Sequence, residues 1–540
     1  MVAKTLRMIT SKISGLREAA FWLSVFALFS QILALLRDRL LAHHFGTGVE
    51  LDVYYAAFKV PDLIFVTVAS LVSISALIPL FARQEQEPKR LKETAESIFT
   101  VFSIAISFFC ILAWFSMPLV INTFFTGFSA SARAETIFLS RLLLVSPFFL
   151  GFSNFFGSIV QYEKRFILYS LSPLLYNLGI IVGIVFLVNP LGVTGVVIGV
   201  MFGALLHFSL QAIFVLNSSI RPKFTRKINW PVVRETALLS VPRTLALSVV
   251  SFVGFFFVAL ASKISPGSIT VFNLALNLQS VPLSLIGVSF SLAAFPALSI
   301  SAAKKDTNEI VERISDGLRQ IIFWSLPFTA LVIVLRAHIV RVVLGSGAFD
   351  WSATRLVAAC LAIFVASTVF QSIQLFLSRS HYALGKTKWP LLGNLIGGIV
   401  SVATALLIIG SPDFFRGLLE IMATVLNVED LHVGILLLPL SYSFGALVSA
   451  TILFLALDGQ LVQKVWRVIS SSVMAGGVTA AIVALGSYFG LWLMDGLFNL
   501  DTFIGVFGHG FFAGLLGIVF GAVFLVLSKN RDMKELTERF

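Results

Sequence analysis

Apolar runs long enough to cross a lipid bilayer recur along almost the whole chain. Crossing about 30 Å of hydrocarbon takes roughly 20 residues of helix at about 1.5 Å per residue. Windows of that length predict about fourteen spanning helices. The predicted spans begin near Ala19, Leu51, Glu96, Thr136, Phe166, Pro190, Pro231, Ser268, Gly317, Ser352, Trp389, Leu431, Trp466 and Thr502. Because no stretch between them is long enough for a soluble domain, we predict an all-α polytopic membrane protein.

The composition supports this fold class. Of the 540 residues, 58% are hydrophobic and 12% are charged, whereas soluble domains have roughly one half and one quarter. Most soluble enzymes are therefore excluded. A net charge of +12 can indicate nucleic-acid binding, but the Lys and Arg residues form small clusters between the apolar runs, as cytoplasmic loops require. We therefore predict no nucleic-acid partner.

The distribution of Lys and Arg predicts the orientation of the chain in the membrane. With a cytoplasmic N-terminus, 28 of the 39 Lys and Arg residues fall in inner segments, and only Arg133, Lys263 and Arg416 fall in outer loops. This asymmetry predicts an even number of spans with both termini in the cytoplasm. The first span lacks a cleavage site of small residues, so we expect a retained helix and not a signal peptide.

Two short sequences recur at similar offsets and indicate an internal duplication. Residues 173–178 (PLLYNL) recur as 390–395 (PLLGNL), and Val-Pro at 60–61 recurs at 281–282. Each offset covers six spans, so we predict two pseudo-symmetric six-helix lobes around a central cleft. The predicted domains are a cytoplasmic segment (1–18), an N-lobe (19–220), a C-lobe (221–460), two further spans (461–528) and a cytoplasmic tail (529–540).

Several basic residues lie where a membrane helix does not ordinarily carry charge. Eight fall inside the predicted spans or at their outer ends: Arg37, Arg39, Lys59, Arg141, Arg243, Arg336, Arg341 and Arg355. An arginine in a span costs roughly 2.5 to 3.5 kcal/mol on insertion scales, so it is retained where it faces water, a counter-ion or an anionic ligand. Arg37 shares a helical face with Ser30 and His44 and is the first substrate-binding candidate. The alternative is that Arg37 and Asp38 merely end the first span.

The second predicted span offers a matching polar face. Asp52 and Lys59 lie seven residues apart, so they share one side of the helix. We predict that Lys59 binds substrate, and that Asp38 and Asp52 hold Arg37 in place or gate the cleft through ion pairs. The hinge candidates are prolines within or near spans, which break backbone hydrogen bonds and permit bending, with packing kinks as the alternative. They are Pro61, Pro242 and Pro282.

Three further polar residues are predicted to contact substrate. Arg141 opens the fourth span, and Arg243 follows Pro242 well inside the seventh. Arg243 either faces a cavity or extends its charge to the inner interface. Asn277 in the eighth span either bonds a sugar or links neighbouring helices.

Signatures of enzymes are absent from the sequence. The seven histidines are scattered without carboxylate partners at metal-ligand spacing, and no phosphate-binding loop ends in Gly-Lys-Ser/Thr. We therefore predict no catalytic residue, no bound metal and no cofactor. Transport would then be driven by a monovalent-ion gradient or by the membrane potential.

Residues 411–430 lie between the eleventh and twelfth predicted spans. Their pattern predicts an outer loop with a short amphipathic helix. The alternative is a surface insertion without a specific role.

A series of short motifs resembles the MurJ/MviN lipid II flippase family. They run in the family's order from the first span to the loop before the eleventh. The motifs are SQ at 30–31, LRD at 36–38, FGTG at 45–48, AFKVP at 57–61, KRF at 164–166, PGSI at 266–269, FPALS at 295–299, GSGAFD at 345–350 and YALG at 382–385. The resemblance implies a fourteen-helix fold of the multidrug/oligosaccharidyl-lipid/polysaccharide exporter superfamily, with two lobes around a cationic cavity.

The resemblance also implies a function in cell-wall biogenesis. The family moves lipid II, the undecaprenyl-pyrophosphate-linked peptidoglycan precursor, to the outer leaflet of the bacterial cytoplasmic (inner) membrane by alternating access. Arg37 corresponds to its cavity arginine, so contact with the phosphates is expected there first, and then at Lys59 and Arg141. Membrane lipids and cell-wall synthesis or division proteins are the further partners implied.

The chain departs from the family where several cavity charges are expected. Uncharged residues stand at Phe65, Val66, Ser70, Phe257 and Asn277. Two other functions therefore stay open from the sequence. One is export of another lipid-linked glycan or of drugs, and the other is a membrane scaffold that transports nothing.

Overall fold

Helices are the only regular secondary structure in the part of the chain that the structure describes. This computed structural model describes residue 12 and residues 15–72, 74–84, 86–411, 413–428, 433–457 and 459–528. Contacts divide the chain into two compact units, Met1–Ile269 and Thr270–Phe540. The all-α fold class predicted from the apolar runs is confirmed.

Nine α-helices lie in the described residues of the first unit. They are α1 (Leu16–Phe45), α2 (Val49–Val68), α3 (Ile74–Arg83), α4 (Pro88–Phe124), α5 (Ala130–Leu143), α6 (Val145–Tyr162), α7 (Phe166–Leu191), α8 (Val193–Leu216) and α9 (Trp230–Ala261). A 3₁₀ turn, Ala69–Val72, follows α2. The unit is organised around α7, which packs along α8 on one side and α1 on another, while α2 packs against α5 and α9.

Where the structure describes it, the second unit has ten α-helices, the first of which begins two residues before the unit boundary. They are α10 (Ser268–Leu283), α11 (Ser289–Ala303), α12 (Thr307–Leu344), α13 (Trp351–Ala366), α14 (Thr368–Ala383), α15 (Lys388–Gly410), α16 (Arg416–Leu426), α17 (Leu437–Leu455), α18 (Gly459–Met494) and α19 (Phe503–Leu527). Within it, α12 and α19 both pack along α18, and α15 packs along α17.

The helices correspond to the predicted spans. Among the described residues, thirteen helical segments, some of them made of two consecutive helices, are long and apolar enough to cross a membrane. The pair of α13 and α14, bent by 42°, makes a fourteenth if it is counted as one span. These candidates agree with the predicted number of about fourteen. Some begin earlier than predicted, because α12 starts at Thr307 and α4 at Pro88. Their first turns are charged, and a hydropathy window does not detect helix that extends beyond the hydrocarbon.

Side-chain caps explain why several helices begin where they do. A polar side chain accepts a hydrogen bond from a backbone N–H of the first turn, which has no partner within the helix. These caps are Ser129 for α5, Asn229 for α9, Asp306 for α12, Asp350 for α13 and Thr502 for α19. Each cap is a local signal that is present in the sequence.

The contact between α7 and α8 depends on glycine. A Cβ at Gly183 would lie 2.5 Å from the Cα of Gly199, and one at Gly179 would lie 2.3 Å from the Cα of Gly203. Any side chain at these positions would therefore separate the two backbones. Small residues of this kind permit close helix packing in membranes, where lipid tails are as apolar as the side chains.

Two predicted hinge prolines precede irregular helix. Pro61 is buried inside α2, eight residues before the 3₁₀ turn, and Pro282 lies in α10 just before a π-helical segment, Ser284–Val288. The side chain of Pro242 lies outside the described residues. Irregular helix near a proline marks a place where a helix can bend, and motion at these sites stays a prediction.

The unit boundary at Ile269 places α9 with the first unit, whereas the repeat assigns this span to the C-lobe. Contacts show which helices pack together, whereas a repeat shows which segments are similar in sequence. The predicted lobe limits of 19–220 and 221–460 therefore stay a prediction. The cytoplasmic location of both termini stays one as well.

Candidate functional site

Arg37 on α1 is the centre of a polar site in the first unit. Its Nε and Nη2 both donate to Asp38 Oδ1, at 3.0 and 2.7 Å, and its Nη1 donates to Asn177 Oδ1 of α7 at 3.3 Å. Asn177 in turn donates to Ser30 Oγ, 3.3 Å away on α1. The predicted polar face of the first span therefore points at α7, and Asp38 forms an ion pair with Arg37.

These contacts leave part of the guanidinium available to a ligand. An arginine has five N–H donors, and the described residues accept from three of those on Arg37. The Arg37 side chain is 21% exposed, whereas that of Asp38 is only 4% exposed. The buried carboxylate thus holds the guanidinium in one orientation while two of its N–H groups remain without a partner in the described chain.

Tyrosines from two helices surround this ion pair. Tyr54 and Tyr55 of α2 lie near Arg37, and so does Tyr176 of α7. Tyr54 is only 3% exposed, and its ring lies edge-on to Phe58 at 4.9 Å. Aromatic side chains with a polar end can pack in the bundle and still offer a hydroxyl to a polar group.

Asp62 extends the site and was not among the residues predicted from the sequence. It lies three residues after Lys59 on α2, so the two side chains share a face, and they interact electrostatically. Asp62 also interacts with Tyr54 and Tyr176. The signal was available, since Asp62 continues the face of Asp52 and Lys59. Asp62 is exposed although it lies within a span.

We refer to these residues together as the Arg37 cluster. It comprises Arg37, Asp38, Tyr54, Tyr55, Lys59, Asp62, Tyr176 and Asn177, from α1, α2 and α7. Its two cations are balanced by two carboxylates in formal charge. Such balance lowers the cost of placing four charges within spans. An incoming anion would have to compete with Asp38 and Asp62, which weakens its binding and allows its release.

The Asp52 carboxylate contacts the loop before α10. Its Oδ2 accepts a hydrogen bond of 2.7 Å from the backbone N–H of Gly267, in the loop before α10. Gly267 has φ of +87°, and a Cβ there would lie 2.3 Å from the carbonyl oxygen of Thr47. Asp52 thus fastens one loop to the start of α2, and its predicted gating role stays a prediction.

Arg141 contacts α4. Its Nε donates to the carbonyl oxygen of Trp114 at 3.0 Å, and its guanidinium lies 4.2 Å from the centre of the Trp114 ring. Pro118, four residues later, has no N–H to donate to that carbonyl. Arg141 therefore satisfies a backbone group that a proline leaves unpaired, and substrate contact by Arg141 stays a prediction.

The remaining candidates give less information. The Arg243 side chain lies outside the described residues, and Asn277 is half-buried in α10 of the second unit. Ser70, where the family places a charge, forms a 2.8 Å hydrogen bond with the hydroxyl of Thr244 on α9. Among the described residues, no three His, Cys, Asp or Glu side chains gather as metal ligands would.

The second unit contains a long, mostly apolar cavity of about 1010 Å³ between α11, α12, α18 and α19. Its apolar walls include Ile286, Phe290, Phe323, Leu331, Val483 and Leu525. Arg313, Asp316 and Arg319 in the N-terminal third of α12 make one end charged. The lining of α12 from Arg313 to Leu331 extends over about 27 Å at 1.5 Å per residue. This shape suits a long apolar chain attached to a polar group.

About fourteen spans, a charged cluster within them and a long apolar cavity define a multi-pass membrane transporter. A family model described as "Lipid II flippase MurJ" matches residues 41–506. Since this match covers most of the sequence, the chain belongs to the MurJ lipid II flippase family.

Relatives and solved structures agree with this assignment. The "Probable lipid II flippase MurJ" of Thermotoga maritima is 24% identical over 525 residues, covering 97% of this chain and 98% of the relative. The "Lipid II flippase MurJ" of Burkholderia cenocepacia is 23% identical over 453 residues, covering 82% and 84%.

Solved structures share the fold. An inward closed structure of the lipid II flippase MurJ matches with a TM-score of 0.72 at 22% identity, covering 93% of this chain and 98% of that one. An inward-facing multidrug transporter of the MATE family and MOP superfamily matches with a TM-score of 0.66 at 15% identity, covering 82% and 96%. These likenesses confirm the all-helical membrane fold that the sequence predicts.

Proposed function

We propose that this protein moves lipid II from the inner to the outer leaflet of the bacterial cytoplasmic membrane by alternating access. The family supports this function, and the observation that carries it is the Arg37 cluster. A pyrophosphate cannot cross hydrocarbon unaided, so a carrier must offer cations within its spans. Arg37 is such a cation, and it is held in place with two N–H donors to spare.

The arrangement of Arg37 suits a phosphate. A guanidinium presents N–H groups in a planar fork that binds two phosphate oxygens at once. Lys59, on the neighbouring face of α2, adds a second positive charge without a fixed geometry. Asp38 and Asp62 limit how tightly the anion is held, so that binding in one leaflet can be followed by release in the other.

The apolar cavity of the second unit supports a lipid-linked substrate. An undecaprenyl chain needs a continuous apolar surface, and the cavity extends over about 27 Å of α12. Its charged end is suited to remain near water. We assign the cavity to part of the isoprenoid chain.

The remaining parts of the proposal follow from the family and from the charge pattern. Both termini lie in the cytoplasm, and a monovalent-ion gradient or the membrane potential supplies the energy. Cell-wall synthesis or division proteins are the protein partners of such a transporter. The expected role in the cell is in peptidoglycan synthesis and cell shape.

The test is growth of a bacterium depleted of its own lipid II flippase. The wild-type gene should restore growth, and Arg37→Ala and Arg37→Lys should not, because lysine keeps the charge but loses the planar fork. Arg90→Ala is the control, since the Arg90 side chain is 60% exposed outside the cluster. Failure of the wild-type protein at normal membrane abundance would contradict the proposed substrate. Full activity of Arg37→Ala would favour a scaffold that transports nothing.

A related exporter of another lipid-linked glycan is the second candidate. Uncharged residues at Phe65, Val66 and Ser70 favour it, because the resemblance to the family implies charged residues at these positions. Ser70 instead forms a neutral hydrogen bond with Thr244. Purified protein in vesicles distinguishes the two functions through the rates at which fluorescent lipid II and an undecaprenyl-pyrophosphate bearing another glycan move between leaflets. Preference for the second lipid would replace the first proposal.

A further inference from the structure

The helix α16 connects two consecutive spans and exposes an unusual amount of apolar surface. The preceding span ends at Gly410, and the following one begins at Gly434. None of the residues of α16 is fully buried. Phe414 before the helix is 82% exposed, and Ile421 and Val425 are 63% and 71% exposed. Exposing this apolar surface to water would cost free energy, so the surface is expected to contact something other than water.

The side chains of α16 divide into three sectors around the helix axis. At 100° per residue, Phe414, Leu418, Ile421 and Val425 form one exposed apolar sector. A second sector, with Leu419 and Met422, is partly covered by the protein, and a third is polar and exposed. The members of this third sector are Arg416, Glu420, Thr424 and Asn427. The centres of the three sectors are separated by roughly 100° to 140°.

Each of the three sectors suits a different environment. A helix lying beside a membrane protein at the bilayer surface has protein on one side, water above and acyl chains below. A helix projecting into water would have two sectors and not three. The candidate span α15, which ends six residues before α16, also exposes apolar side chains near its end, where Leu406 and Leu407 are 52% and 66% exposed.

One hydrogen bond connects α16 to α12. The Nη2 group of Arg336 donates to the carbonyl oxygen of Leu426 at 3.4 Å, in the last turn of α16, where carbonyl groups lack helical partners. The backbone of Asn427 then adopts the left-handed conformation, with φ of +56°, and ends the helix. A cation at this end also interacts favourably with the helix dipole.

We propose that α16 is an interfacial anchor whose exposed apolar sector inserts between lipid headgroups and acyl chains, and which fixes the adjoining end of α12 relative to the bilayer surface. The bound partner is the lipid surface itself. Arg416 and Glu420 pair with each other at 3.3 Å, so the polar sector offers little net attraction to anionic lipid. Insertion therefore depends on apolar contact and not on the charge of the headgroups.

Site-directed spin labels on the full chain test this proposal. In a background of Cys110→Ala and Cys360→Ala, the variants Ile421→Cys and Val425→Cys probe the apolar sector. Glu420→Cys and Thr424→Cys are matched controls one residue away. In nanodiscs, we expect the ratio of collisions with oxygen to collisions with a water-soluble nickel chelate to be several-fold higher at positions 421 and 425, since oxygen concentrates in lipid.

Other patterns would overturn the proposal. Equal ratios at the four positions would mean that α16 lies in water. Protection of positions 421 and 425 from both reagents would mean that protein covers the sector, either a second copy or another part of this chain. A difference that appears only with anionic lipid would contradict insertion by apolar contact. We expect the same difference in nanodiscs of zwitterionic lipid alone.

Discussion

The ion pair between Arg37 and Asp38 shows how a charged residue is accommodated within a span. Neighbouring residues along a helix diverge by about 100°, yet the long arginine side chain returns to the carboxylate beside it. Asn177 supplies the third acceptor from another helix. The cost of desolvating both charges is offset by direct pairing.

At the residue scale, we expect the two carboxylates of the cluster to differ in their effect on stability. Asp38→Asn should lower the free energy of unfolding by about 2 kcal/mol, because it removes the counter-ion of a largely buried guanidinium. Asp62→Asn should change it much less, because Asp62 is exposed. Thermal unfolding of both variants in the same detergent measures the difference. If both variants lost the same free energy of unfolding, burial would not explain how much Asp38 contributes to stability.

The prolines and glycines of the spans have their clearest effects at the scale of helices. Pro118 leaves the carbonyl of Trp114 without a helical donor, and Arg141 of the next helix supplies one. Glycines on α7 and α8 allow the two backbones to approach until no side chain fits between them. In the first case a neighbouring helix supplies the missing hydrogen-bond donor. In the second case a neighbouring helix fills the space that side chains would otherwise occupy.

At the element scale, Gly183→Ala should weaken the packing of α7 on α8. The new Cβ would lie 2.5 Å from the Gly199 backbone, and overpacking of this kind costs about 1–3 kcal/mol. Gly254→Ala on α9 is the matched control, because a Cβ there meets nothing within 4 Å. It should leave the melting temperature unchanged or raise it, since alanine favours helix. A loss of stability in the control as large as that in Gly183→Ala would exclude close packing as the cause.

At the scale of the whole molecule, the chain combines a charged site and an apolar cavity that suit the two parts of a lipid-linked substrate. The Arg37 cluster belongs to the first compact unit, and the cavity belongs to the second. On the proposed function, the headgroup would bind charged residues of the first unit, and the lipid tail would bind apolar residues of the second. Mutations in the two parts should accordingly have different consequences.

Filling the cavity should slow transport and leave recognition of the headgroup intact. Ala522 lines the cavity, so Ala522→Phe should lower the rate of lipid II movement several-fold by narrowing the space for the isoprenoid chain. The neighbouring Val523 is 51% exposed and does not line it, so Val523→Phe is the control. Binding of a soluble pyrophosphate analogue should be the same in both variants. Equal rates of lipid movement would contradict the assignment of the cavity to the tail.

The spans and the polar face of α1 could be predicted from the sequence because both depend on residues close together along the chain. Asp62 was missed although its spacing from Lys59 was readable, since a single acidic residue after a proline did not suggest a site. The ion-pairing or gating role predicted for Asp38 and Asp52 stays a prediction, and the contact of Asp52 with Gly267 could not be predicted from the sequence.

The amino-acid sequence alone determined the number and order of the membrane-spanning helices, because an apolar stretch of sufficient length must satisfy its backbone hydrogen bonds as a helix in lipid. It also determined which family the motifs resemble. The tertiary structure decided the contacts that join distant residues. Arg37 and Asn177 are 140 positions apart, and Asp52 and Gly267 are 215 apart. Such pairs depend on how helices pack, and no local periodicity encodes which helix becomes the neighbour of another.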